Sequence, residues 1–321
     1  MDSTPLLEAV DGLPGPSAMR DHPAFLRACH SPWRFIPQNI LVIIRGIILA
    51  YLTAVGVMAA KYKLGVDFVL VFAYHLVTFS WTFTHLYYPQ VDDTEGGIEY
   101  YIISAMSLPD NMGSLRKQFR FTVFYTTAVV FSFVNSTVYW FVTRQQGQPG
   151  FTDPSPPQES GAPGELPIIW GWDTDPSMPL YVPDMPFSDL FGEGWFKPFI
   201  IFNLYAITSI IMVVEIFFLN SIRRPFAIGS HFFSLVLFSG LYLGWAGIGK
   251  LLTQWPAFAW LDESQVGSEE AVTAYGIGFV ILAPLMYILM QGFVGIREGI
   301  HRSLTESREQ AADEGSGAED S

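Results

Sequence analysis

The chain has 321 residues, half of them hydrophobic and 16% aromatic, with only 15% charged. That is too apolar for an ordinary soluble domain and fits a membrane protein with polar tails. A net charge of -13 excludes the basic face that nucleic-acid binding requires, and Cys29, the single cysteine, excludes an intrachain disulfide and a cysteine-ligated metal centre.

Residues 1–38 read as a cytosolic N-terminal segment. Met1 to Ser31 carries acids and prolines and lacks the basic-then-apolar order of a cleaved signal peptide. Residues 39–294 predict a bundle of six transmembrane helices, at Asn39–Ala60, Val66–Tyr88, Phe119–Val142, Pro198–Leu219, Ser230–Leu252 and Ala274–Val294. Pro284 should kink the last. Between helices 3 and 4, residues 143–197 are rich in Pro, Gly, Asp and Glu around Trp170 and Trp172, and read as a long irregular loop. Residues 295–321 read as an acidic cytosolic tail without fixed structure. The expected fold class is therefore an all-α integral membrane protein.

An even number of spans puts both termini on one side. Eleven of the 17 basic residues (Arg20, Arg27, Arg34, Arg116, Lys117, Arg120, Arg223, Arg224, Arg297, Arg302, Arg308) fall on that side. Five (Lys61, Lys63, Arg144, Lys197, Lys250) fall on the other, and Arg45 is within the first span. The excess predicts cytosolic termini and a lumenal 143–197 loop. The endoplasmic reticulum is the expected membrane.

Polar residues recur at helical spacing inside these spans. Asp67, His75, Thr78, Thr82 and His85 form one stripe of the second helix, and Tyr205, Thr208, Met212 and Glu215 one stripe of the fourth. The fifth carries His231, Ser234, Phe238, Tyr242 and Trp245, and the third Tyr125, Ser132, Ser136 and Tyr139. Polar stripes in lipid must face protein or a water-filled cavity, so they either enclose a site or hold helices together. With alternating helix directions, Arg45, His85, Glu215 and His231 share one depth near the terminal side, and Asp67 lies at the opposite end.

A carboxyl taken out of water acts as a proton donor in its neutral form. Glu215 is the candidate acid, positioned by His231 or Arg45, with His85 at the same depth. Thr78, Trp81, Tyr205, Thr208 and Trp245 are the candidate substrate-binding residues, because rings around an apolar cavity stabilise cations by their negative faces. No HxxxH or HxxE spacing joins the histidines into a metal site, and Asp92, Asp93 and Glu95 read as a solvated acidic loop. Neither metal nor cofactor is expected. The expected partners are a lipophilic small molecule and membrane lipid.

From Phe119 to Asp262 the order Asn203, Glu215, Pro225, His231, Leu241-Tyr242-Leu243, Trp255 and Leu261-Asp262 resembles the androgen-induced membrane proteins, six-helix hydrolases of lipid esters. The resemblance implies a threonine nucleophile, for which Thr78 could stand, and a histidine base, at whose place this chain has Tyr205. In size, helix count and acid-bearing aromatic spans the chain also resembles the membrane-bound terpene cyclases of fungal meroterpenoid pathways. That resemblance implies protonation of a prenyl chain followed by cationic ring closure, with Glu215 as the acid. A membrane protein without catalytic activity is the third expectation.

Overall fold

The computed structural model describes residues 23–59, 66–87, 97–109, 111–143, 196–224, 228–253 and 258–319, all helices and connecting turns with no strand among them. The long loop expected at 143–197 and the acidic loop at Asp92, Asp93 and Glu95 fall almost wholly outside these residues. So does the N-terminal segment before Pro23.

In chain order the helices are α1 (Ala24–Ala28), α2 (Gln38–Ala59), α3 (Val66–Tyr87), α4 (Ile98–Met106), α5 (Leu115–Val138, continued by a π turn, Tyr139–Thr143), α6 (residues 196–219), α7 (Ile228–Thr253), α8 (Glu263–Val266) and α9 (Glu269–Glu319). Six of them, α2, α3, α5, α6, α7 and α9, are long and apolar enough to cross a membrane. They occupy the six stretches expected from hydropathy. Apolar length along the chain is a local property and survives folding unchanged.

Three short helices, α1, α4 and α8, were not legible, since segments of five, nine and four residues carry too few turns for a periodic signal. The last helix also differs from expectation. α9 runs through Pro284 and continues to Glu319, so the residues read as a structureless tail extend it. Ala, Glu, Gln and Arg in that stretch are good helix formers, and their charge does not prevent it.

α5 is the most enclosed of the long helices and α7 the least. α5 packs against α3, α6, α7 and α9, while α2 lies outside α3. The core is continuous from Phe25, Tyr74, Phe121 and Tyr125 through Val129, Met212 and Ile216 to Tyr287 and Trp260. α2 and α3 approach closely at two glycines: a Cβ on Gly46 would sit 3.3 Å from the Phe79 ring, and one on Gly56 3.3 Å from the Phe68 ring. Small residues at such crossings let backbones approach, which is how helices gain packing without a hydrophobic driving force.

α6 is not a regular α-helix. It contains two π turns, Asn203–Ile207 and Glu215–Leu219, joined by helical backbone throughout. A π turn widens the helix by one residue per turn and re-aims its carbonyls, and such turns concentrate at functional or strained positions. The second one creates the polar centre described next.

Candidate functional site

Glu215 opens the final π turn of α6, and Asn220 N closes it by donating to Glu215 O at 3.1 Å. The four carbonyls that follow lack intrahelical partners, as at any helix end. Each receives a side-chain donor from elsewhere in the fold. Arg297 Nη1 of α9 donates to Ile216 O at 2.8 Å, and Trp33 Nε1 to Phe217 O at 2.6 Å. Ser31 Oγ donates to Phe218 O at 2.7 Å, and Arg45 Nη2 of α2 to Leu219 O at 2.7 Å. The segment after the helix is held as well: Ser221 N donates to Arg27 O at 2.9 Å, and Arg297 Nη2 to Ile222 O at 2.5 Å.

The Glu215 carboxyl lies at the centre of this end-cap, fully buried. Its Oε1 accepts from Tyr74 OH at 2.8 Å, Arg45 Nη2 at 3.2 Å and Asn220 Nδ2 at 3.3 Å. Arg45, also fully buried, further donates to Thr82 Oγ1 at 2.6 Å, Thr78 O at 3.1 Å and Ala28 O at 2.5 Å. One guanidinium therefore ties α1, α2, α3 and α6 together. Charge-assisted bonds of this kind are the strong ones, and a buried pair holds only when its spare donors are also met. Arg45 Nε, Glu215 Oε2 and both ring nitrogens of His75 are nonetheless buried without a partner among the described residues.

The candidate residues divide sharply. Arg45, Glu215 and Thr78 are brought together, Thr78 by its backbone carbonyl. Its hydroxyl donates back to Tyr74 O at 2.9 Å, within its own helix. His231 does not join them: its Nε2 lies 3.1 Å from Thr122 Oγ1, and its ring packs 5.2 Å from Phe119 and 6.4 Å from Tyr287. His85 lies beside His30, rings 6.0 Å apart, rather than beside Glu215. A common depth does not imply a common azimuth, which is why neither histidine positions the acid. The environment of Glu215 also differs from the apolar one expected, being a hydrogen-bonded cage with a cation.

Among the candidate binding residues, Trp245 is 73% exposed on the outer face of α7, so it lines no interior cavity. The rotation of α7 at the edge of the bundle turns that part of its stripe outward. Trp81 packs in the core on Phe25 and Phe121, at 5.5 and 5.0 Å. Thr208 donates to Leu204 O at 2.6 Å inside α6. Tyr205 stacks on Tyr139 at 4.0 Å, nearly parallel. Three members of the Glu215 centre carried no clear mark in the sequence. Arg297 reads as one more basic residue near a span end, Tyr74 as one ring among many, and Asn220 as a turn residue.

A second polar centre lies toward the other end of the bundle. Asp67, at the start of α3, is buried, and its Oδ2 accepts from Asn135 Nδ2 of α5 at 2.7 Å. The two line a recess with Phe131, Val134, Val138, Tyr242, Phe258 and Phe279. It measures about 280 Å³ with its open mouth and has room for roughly one ordered water. Tyr242 is its hub, with ring centroids 6.2 Å from Phe131, 5.9 Å from Phe258 and 6.0 Å from Phe279. Trp260 stacks behind Phe258 at 5.0 Å. The turn bearing these rings is pinned to α7 by Lys250 Nζ, which donates to Leu261 O at 2.7 Å. Asp262 caps α8, and its bond with Ser264, chiefly the hydroxyl, holds its carboxyl below the usual range.

Fold and site define a six-helix bundle of membrane-crossing dimensions with two buried carboxyl centres, one locked by arginine and one bordering an aromatic recess. Compared with known proteins, the chain matches no family model, no curated protein and no solved structure. Among the described residues, no group of three or more His, Cys, Asp or Glu is arranged to hold a metal ion.

Proposed function

We propose that this protein is a membrane-embedded enzyme that takes a lipophilic prenylated substrate and closes it into rings by acid-initiated cyclisation, as the likeness to membrane terpene cyclases implies. The observation that carries the reading is the pairing of Asp67 with Asn135 in a recess walled by Phe131, Tyr242, Phe258 and Phe279. Asp67 is the acid in this proposal and Glu215 is not, because Glu215 is bonded to a guanidinium and Asp67 to a neutral amide.

In the proposed step the Asp67 carboxyl O–H transfers its proton to a terminal olefin carbon or epoxide oxygen of the substrate. The electron pair of the olefin, or the breaking C–O bond, leaves a carbocation, which the next double bond attacks. The ring faces of Tyr242, Phe258 and Phe279 stabilise that charge. Loss of a proton to the Asp67 carboxylate ends the sequence and restores the acid, so the net reaction is an isomerisation.

Hydrolysis by Thr78 is the weaker reading. The Thr78 hydroxyl is committed to its own helix, donating to Tyr74 O and His75 O, and among the described residues no histidine ring nitrogen bonds it. A threonine without a base is a poor nucleophile.

The test is turnover of a prenylated epoxide by membranes bearing Asp67→Asn. Asparagine preserves the shape and the Asn135 contact but has no acidic proton, so turnover should fall by about 10²-fold or more with expression and melting temperature little changed. Full activity in Asp67→Asn, or abolition by Thr78→Ala with retained folding, would remove the proposal.

A further inference from the structure

At the end of the bundle where α2 begins and α3 and α6 finish, three separate segments that carry basic residues meet. Arg34 precedes α2, Arg223 and Arg224 follow α6, and Arg297, His301 and Arg302 lie on α9. The Arg223, Arg297 and Arg34 guanidiniums are all near enough to act electrostatically on the His301 ring. The Arg224 guanidinium packs against α9 at Gly295, its Nη2 where a Cβ would be. The absence of a side chain at Gly295 is what lets the guanidinium reach that place.

Glu298 Oε1 of the same helix lies 3.9 Å from Arg297 Nη2. Arg34, Arg224 and Arg302 are exposed, and among the described residues none has a carboxylate within ion-pair distance. Like charges brought to one end of a bundle repel one another, and an anion among them offsets that repulsion.

Apolar surface adjoins the cations. Trp33 connects the two: its ring stands 6.0 Å from His301 on one side, and 5.9 Å from Phe35 and 6.4 Å from Phe218 on the other. Phe35 is 68% exposed and Phe218 42%. Ile296 and Ile300 of α9 are exposed as well. A tryptophan between exposed rings and a basic segment has the pattern of a headgroup-level anchor.

We propose that this cluster is a binding site for the phosphate of an anionic phospholipid, with Arg34, Arg224 and Arg302 as its ligands and Phe35, Phe218 and Ile300 against the acyl chains. The site rests on the membrane reading of the bundle and is independent of the Asp67 chemistry. The apolar flank selects a lipid over a free phosphate, since a soluble anion would gain nothing from exposed Phe35 and Phe218. Basic pockets between helices at the headgroup level recognise anionic lipids in the same way.

The experiment is binding of phosphatidic acid, phosphatidylcholine, glycerol phosphate and inorganic phosphate to the purified, delipidated full chain in detergent, by native mass spectrometry and thermal shift. Phosphatidic acid should bind at least about tenfold more tightly than phosphatidylcholine. The Arg34→Gln, Arg224→Gln, Arg302→Gln variant should lose about 10²-fold, at roughly fivefold per arginine near a membrane surface. In the unmodified chain, raising salt from about 0.1 to 1 M should weaken binding as the screening length falls from about 10 to about 3 Å. Equal binding of the two lipids, salt-independent binding, or a folded triple variant that binds phosphatidic acid normally would overturn the site. Stabilisation by inorganic phosphate equal to that by phosphatidic acid would overturn the lipid assignment.

Discussion

Arg45 and Arg297 close the same helix end from two sides: Arg45 Nη2 donates to Leu219 O at 2.7 Å, and Arg297 Nη1 donates to Ile216 O at 2.8 Å. The carbonyls are one turn apart on α6, and the arginines come from α2 and α9, the first and last of the long helices. Together with Trp33 and Ser31 they leave none of the last four carbonyls of α6 without a donor. The Glu215 centre is thus a closure for the bundle, and its carboxyl balances the guanidinium that closure requires.

Arg45→Met should therefore destabilise severely, by about 3–5 kcal/mol, because it strands a buried carboxyl together with the Leu219 and Ala28 carbonyls. Arg45→Met with Glu215→Met should recover part of the loss, since neither charge is then unpaired. Thermal unfolding of the two variants in one detergent measures the difference. A double variant less stable than Arg45→Met alone would show that Glu215 is held by more than its cation.

Arg297→Leu should cost more than Trp33→Phe. The arginine serves three backbone carbonyls, those of Ile216, Asn220 and Ile222, and the indole serves one, that of Phe217. At about 1–3 kcal/mol for each buried acceptor left unmet, melting temperatures should rank the variants in that order. The reverse order would argue that the Trp33 ring contacts dominate over its hydrogen bond.

Trp245→Leu should leave the proposed cyclisation within a factor of about two, as expected for a surface position away from any site. Tyr242→Leu should slow it markedly, since Tyr242 contacts three other rings of the Asp67 recess. Parallel turnover assays on membranes normalised for folded protein separate the two, and equal losses would place the reacting group elsewhere.

Cys29 gives a pH-dependent handle outside the spans. Burial pushes its thiol up from 9.0 to about 11, with Arg45 opposing that shift. A raised folded value favours the neutral thiol, so its contribution is complete below about pH 9 and is lost as the pH rises toward 11. The amount is roughly 3 kcal/mol. Cys29→Ala should flatten the fall in stability between pH 9 and 11. The unmodified chain should resist thiol reagents at pH 8 until it unfolds, and rapid labelling of the native protein would contradict the burial.

That inertness makes a clean topology test possible. Cysteines placed at Gly161 and Gly315 should differ in labelling by an impermeant reagent on sealed vesicles, as the distribution of basic residues predicts. Equal labelling of both would reverse the assignment of sides.

The six apolar stretches were legible because crossing a hydrocarbon layer needs about 20 apolar residues in succession, a requirement written locally along the chain. The nearness of Arg45 to Glu215 was legible in part, because rise per residue converts sequence position into depth. Rotation about each helix axis was not, and it decided the rest. It turned Trp245 out of the bundle, set His231 on Thr122 instead of Glu215, and brought Arg297 from the last helix onto the Ile216 and Asn220 carbonyls, 81 and 77 residues earlier. Asp67 and Asn135, 68 residues apart, acquired their meaning in the same way. Local composition determined which segments are long and apolar enough to cross a membrane. Only the packing of α2, α3, α5, α6 and α9 around one another decided which carboxyl is held by a guanidinium and which by an amide, because those partners are selected by side-chain directions that no single helix contains.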